Sequence, residues 1–180
     1  IGKDGVVKAK FFEEAYSERY TAGNVLTRAL GGGSQGLRTE KRTRHLRLLT
    51  SASDEIVRGG NRIALVVDVE LNEKMHVYAP GVEGYHPIRW SFEPDDALTF
   101  YSPKYPEARL LHLPAIQEIV PVYEGSFRLV AEVRFAAKPE DLQHLENEQG
   151  ELVIKGSFRY QACDDKVCYL PETVPLEWKV

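Results

Sequence analysis

The chain has 180 residues and a mass of 20.4 kDa, room for one ordinary domain or for one domain plus a fragment of another. With 43% hydrophobic and 28% charged positions it can bury a core, which excludes wholesale disorder. Lys and Arg number 23 against 27 Asp and Glu, and this net charge of -4 argues against nucleic acid as the main partner, because such binding draws on a cationic face. No apolar run approaches the roughly 20 residues that cross a bilayer, so no membrane span is expected in this piece. The start at Ile1, without an initiator Met or a signal peptide, reads as a fragment of a longer chain.

In chain order, Lys3-Asp4-Gly5 is a turn signal and Val6-Val7-Lys8-Ala9-Lys10-Phe11-Phe12 is a short strand. Helix formers then run over 13–30, with Tyr16, Tyr20 and Val25 loosely on one side. Gly31-Gly32-Gly33-Ser34-Gln35-Gly36 is a flexible break and the best domain boundary. The basic residues Arg38, Lys41, Arg42, Arg44 and Arg47 follow without interleaved aromatics, so they read as a solvated linker entering an edge strand rather than a nucleic-acid patch.

From about Leu46 the hydrophobic period becomes two. Ile63, Leu65, Val67, Val69 and Leu71 form one alternating series, and Phe127, Leu129, Ala131, Val133 and Phe135 form another. Further series are Leu152, Ile154, Gly156, Phe158 and Tyr160, and then Val174, Leu176, Trp178 and Val180. Successive strand residues point to opposite faces, so each segment offers one face to a core and one to water. Shorter strands are expected at 75–79, 88–92 and 98–101, a helix at 139–147, and a long ordered loop around Tyr101, Pro103, Tyr105, Pro106 and Pro114. About seven short strands punctuated by Gly, Pro and Asp make an antiparallel β-sandwich, an all-β fold. The acid pairs Glu13-Glu14 and Asp95-Asp96 read as a solvated helix face and turn. No phosphate loop, Ser-His-Asp order or His-rich ligand set appears, and no cofactor is expected.

The chemistry concentrates in Tyr160-Gln161-Ala162-Cys163-Asp164-Asp165-Lys166-Val167-Cys168-Tyr169-Leu170-Pro171-Glu172, which holds both cysteines of the chain and lies between two strands as a hairpin tip. A hairpin brings Cys163 and Cys168 within the Cα separation of about 4.4–6.8 Å that a disulfide requires. Such a short ring removes comparatively little chain entropy, and an exposed tip suits attack by another protein's thiolate, so an exchangeable bridge is one reading. A local structural bridge is the second, and a metal-binding thiol pair the third. Asp164 and Asp165 disfavour a thiolate and Lys166 favours it, which suits a disulfide awaiting attack better than an activated nucleophile.

These residues, with Pro171-Glu172-Thr173 and Val174-Pro175-Leu176, resemble the signature hairpin of the N-terminal periplasmic domain of the thiol:disulfide interchange protein DsbD. Met75-His76-Val77-Tyr78 stands where that family has an aromatic-rich strand facing the cysteine pair, and the resemblance extends over about residues 46–180. It implies an immunoglobulin-like sandwich over 51–180, following the flexible basic linker that composition gives at 31–50, and a thiol:disulfide oxidoreductase module with Cys163 and Cys168 as its catalytic pair. It further implies Cys168 as the sulfur first attacked, Tyr78, His76 and Tyr169 as shielding neighbours beside the modulating charges Asp164, Asp165 and Lys166, and no metal. A thioredoxin-fold protein or domain is the implied electron partner and the periplasm the compartment. The cysteine spacing is one residue shorter than in the family's best-known members, and the counterpart of their cap loop falls within 110–123. The first 30 residues resemble the last strand and helix of a peroxiredoxin-like or thioredoxin-like domain, which implies a redoxin fusion in the parent chain.

Overall fold

A computed structural model describes residues 6–7, 10–11, 19–31, 36–113 and 117–180. Its elements are β1 (Arg19–Tyr20), α1 (Ala22–Leu30), β2 (Thr39–Arg42), β3 (Leu46–Ala52), β4 (Asn61–Leu71), β5 (His76–Tyr78), β6 (Arg89–Phe92) and β7 (Leu98–Lys104). They continue with β8 (Arg109–Leu113), β9 (Glu118–Glu124), β10 (Ser126–Phe135), a 3-10 turn at Pro139–Leu145, β11 (Val153–Tyr160), β12 (Ala162–Cys163) and β13 (Glu172–Lys179).

The alternating segments assemble into two layers, as an immunoglobulin-like sandwich requires. The first is the sheet β2-β3-β4-β10-β7. The second consists of β13-β11-β6 and of β12-β5-β9-β8. Strand pairs are antiparallel except β1, which lies parallel to the first two residues of β4 beyond the reach of β3. Ile63, Leu65, Val67, Leu129 and Val133 of the first layer share one core with Val77, Tyr123, Ile154, Phe158, Leu176 and Trp178 of the second. The Trp178 indole N–H donates to the Val66 carbonyl at 3.0 Å, and the Thr50 hydroxyl donates to the Glu177 carbonyl at 2.6 Å, so polar groups tie the layers as well. At Gly156 a side chain would collide with the Ser91 carbonyl, which is how β11 fits against β6 beneath Trp178.

The outer face of β4 departs from simple alternation, since Ala64 and Val66 are as buried as the core-facing residues. Helix α1 packs against this strand. Thr21 caps its start by accepting from the Asn24 amide, and Gly31 closes it in the left-handed region, φ 61°, with its N–H on the Leu26 carbonyl. Asn24, fully buried, donates to the Arg62 carbonyl and to Glu132, both at 3.1 Å, and Arg28 reaches the same carboxylate at 2.8 Å.

Several expectations are corrected. The helix begins at Ala22 rather than at residue 13, because Arg19 and Tyr20 are extended and hydrogen-bonded alongside β4. Val6, Val7, Lys10 and Phe11 belong to no strand, and Lys3-Asp4-Gly5 and residues 12–18 lie outside the described residues, as does 32–35 of the glycine break. Within the stretch expected as linker, Thr39–Arg42 and the residues from Leu46 onward are sheet. The loop expected after Tyr101 is instead the end of β7, a short connection and β8; Tyr105 and Tyr123 fix that connection through bonds to the Trp90 amide and the Pro106 carbonyl. The segment at 139–145 winds as a 3-10 rather than an α-helix.

Candidate redox site

β11 runs out of the core at Tyr160, and two residues later the chain joins the other sheet of the second layer, pairing Ala162 with Val77 and Cys163 with His76. A tight turn follows. The Asp164 amide donates to the Val167 carbonyl at 2.9 Å, and the Asp164 carboxylate accepts from the Lys166 and Val167 amides at 2.7 and 2.9 Å. An Asp at the first position supplies this turn with its own acceptor. The returning strand is held by the Tyr169 amide on the Ala162 carbonyl, 2.9 Å, and by the Gln161 side chain on the Tyr169 carbonyl, 2.8 Å. Cys163 and Cys168 therefore face each other across an antiparallel bridge and are joined as a disulfide, with Cα atoms 4.0 Å apart. That is closer than the range of about 4.4 Å upward expected of most bridges.

The two sulfurs of the pair sit in unlike surroundings. Cys163 is 1% exposed, whereas Cys168 is exposed. Position across the hairpin explains the difference, since β12 carries Cys163 beside β5 while Cys168 lies on the outer, returning side. Val77, Ala79, Tyr123 and Ala162 turn inward to the common core, and Cys163 packs on the other face with Tyr78, Val120 and Val122. Val82, Tyr85 and Leu111 complete this separate apolar cluster. The disulfide is thus partly covered from the strand side and open at Cys168, beside the exposed Val167 and Leu170.

Of the neighbours expected from sequence, Tyr78 is buried with its hydroxyl 3.8 Å from Cys168 Sγ. Burial, with help from Glu118, pushes its phenol pKa up, so it remains a protonated donor. His76 is buried, meets the Tyr78 ring edge-on at 5.7 Å, and has its imidazole pKa lowered by burial against the opposing pull of Glu124, Asp165 and Asp164. Tyr169 packs tilted against His45 at 4.3 Å under the Arg44 guanidinium and donates its hydroxyl to Asp164 at 3.0 Å, so it braces the turn. The Asp164 carboxyl is held below its usual range by the Val167 and Lys166 amides and then by Tyr169. Asp165 and Lys166 are exposed at the tip.

Sequence reasoning missed Tyr85. Its ring lies 4.3 Å from Tyr78 and its hydroxyl donates to Glu118, a bond that pushes its pKa up to about 12. The signal was Gly81 and Gly84, both in the left-handed region, which shape the loop carrying it. Residues 110–123, expected to hold a cap-loop counterpart, include most of the β8–β9 hairpin, with 114–116 outside the described residues; Leu111, Val120 and Val122 come from it. Among the described residues no group of three or more His, Cys, Asp or Glu is placed to hold a metal ion.

A sequence profile of the family described as "Thiol:disulfide interchange protein DsbD, N-terminal" matches residues 50–177. Among solved structures, the N-terminal periplasmic domain of ScsB from Proteus mirabilis is similar, with 11% identity and a TM-score of 0.47 over 75% of this chain and 46% of that one. The reduced N-terminal domain of Neisseria meningitidis DsbD shows 17% identity and a TM-score of 0.40 over 65% of this chain and 77% of that one. This chain thus spans under half the length of the ScsB domain. No curated protein matches it. With the profile covering most of the sequence, the chain, whose Cys163 and Cys168 are joined as a disulfide, belongs to the family of DsbD N-terminal domains.

Proposed function

We propose that Cys163 and Cys168 are the exchanging pair and that the module relays electrons from a thioredoxin-fold donor to extracytoplasmic partner proteins. The observation that carries the proposal is the asymmetry of the bridge, one sulfur covered and the other facing solvent at a turn. Exchange needs in-line access to one sulfur. An incoming thiolate bonds to Cys168 Sγ, the Cys163–Cys168 bond breaks, and its electron pair leaves on Cys163 Sγ, which takes a proton. The donor's second thiolate attacks its own sulfur in that mixed disulfide, and Cys168 leaves as a thiolate and takes a proton. The reduced pair runs the same steps backward on a disulfide of the next protein. Tyr78, Tyr85 and Tyr169 shield and brace the pair, while Asp164 and Asp165 keep negative charge beside it and Lys166 opposes them.

An exposed disulfide persists in an oxidising compartment, and the periplasm of the family provides one. A finer reading places the thioredoxin-fold donor in the same parent chain, supported by the likeness of residues 5–30 to the end of a redoxin. The docking of α1 on β4 and Glu132 weighs on the other side, since it ties that helix to the sandwich.

Equilibration with glutathione buffers tests the proposal. The pair should titrate at a potential more oxidising than about −300 mV, and a lower value would mark the bridge as structural. Cys163→Ala should abolish turnover while letting Cys168 trap a thioredoxin-fold partner as a stable mixed disulfide.

A further inference from the structure

His76 stands directly opposite Cys163 in the β12–β5 pair. Directly opposed residues share a face, with Cβ atoms about 4.5–5.5 Å apart. The imidazole is 6% exposed, and its Nε2 is buried without a hydrogen-bond partner among the described residues. Buried polar atoms are almost always paired, so an orphan nitrogen in one state calls for a partner in another. The oxidised bridge has no proton to offer. Reduction places an S–H on Cys163, the residue directly opposite that ring.

The resolving step needs such an acceptor. After Cys168 has bonded to a partner sulfur, Cys163 must attack as a thiolate, yet burial in the cluster of Tyr78, Val120 and Val122 disfavours the charged form. We propose that His76 is the proton acceptor for Cys163, taking the thiol proton as Cys163 Sγ bonds to Cys168 Sγ and the partner leaves as a thiolate. The imidazolium then passes its proton to water or to the departing sulfur, and the reverse reaction returns it to Cys163. The inference rests on reading Cys163–Cys168 as the exchanging pair.

The groups around His76 suit the role. Glu124 stands opposite it on β9, partly neutralised by Arg109 at 2.6 Å. Asp165 and Asp164 act on it from the turn, and Tyr78 beside it stays neutral. The carboxylates stabilise a transient imidazolium, while burial keeps the resting ring neutral and able to accept.

The test is the reaction of the reduced protein with dithiobis(nitrobenzoate), which releases one chromophore when Cys168 attacks and a second when Cys163 resolves the mixed disulfide. In His76→Gln the first release should stay within about twofold of wild type, and the second should slow about tenfold or more near pH 7, with the gap closing near pH 10 as the thiol ionises unaided. His76→Tyr should behave alike. A second release as fast in both variants as in wild type, or slowed equally at every pH, overturns the proposal. On the unaltered protein, the His76 Nε2 resonance should shift on reduction; an unmoved resonance overturns the proposal even if both variants misfold. A wild-type pair that releases neither chromophore sinks the exchange reading itself, and this inference with it.

Discussion

Asp164 illustrates how one side chain does a different job from the one its charge suggests. Read from sequence, it was one of two acids set against one base beside the sulfurs. In the fold its carboxylate is committed to two backbone amides and the Tyr169 hydroxyl, so it builds the turn that apposes the cysteines. Because its pKa is depressed in the folded state, its contribution is fully present above the ordinary carboxylate range and is lost as pH falls through the lowered value. Hydrogen exchange at the Lys166 and Val167 amides should therefore gain protection as pH rises into that range, after correction for intrinsic rates, and Asp164→Asn should flatten the profile. Cys163 and Cys168 were legible because they are the whole cysteine inventory on one hairpin. Tyr85 was not, since Gly81 and Gly84 mark a turning loop in the sequence but not which side chain it brings against Tyr78.

At the scale of elements, period-two alternation located the long strands β4, β10, β11 and β13 to within a residue or two at most ends. It failed where one strand had a second cover. Ala64 and Val66 are buried on a strand against which α1 packs, and nothing local to β4 announces that helix. Nor did pattern reveal β8 and β9, whose run of prolines and leucines reads as loop until their register sets Leu111 against Val120. The α1 contact also contains a charge cluster in which Glu132 serves both Arg28 and Arg62, with all three side chains mostly buried. Removing one member of a buried ion pair takes the counter-ion from buried charge, so Glu132→Ala should cost about 3–5 kcal/mol in urea unfolding. Asn24→Ala, which loses one bond to a backbone carbonyl and one charge-assisted bond to Glu132, should cost about 1.5–3 kcal/mol and show as faster hydrogen exchange across 22–30.

Over the whole molecule, the inner face of the second layer joins the common core and its outer face carries the disulfide cluster. Trp178, 1% exposed and stacked on Trp90 at 5.3 Å, lies at the centre of the former. Trp178→Ala should cost about 3–5 kcal/mol. Opening the disulfide should cost no more than about 2 kcal/mol, the entropy released by so short a ring, and paired thermal melts of oxidised and reduced protein would compare the two. Sequence pattern predicted one sandwich with a reactive tip; what it left out was that a sheet one residue thick separates the two clusters.

That partition has a consequence for lifetime in service. In the proposed exchange each turnover makes and breaks a covalent bond, yet the aliphatic interior behind Val77 and Ala162 lies on the far side of the sheet from it. The scaffold need not breathe, repack or refold between one electron pair and the next, so wear should fall on the tip alone.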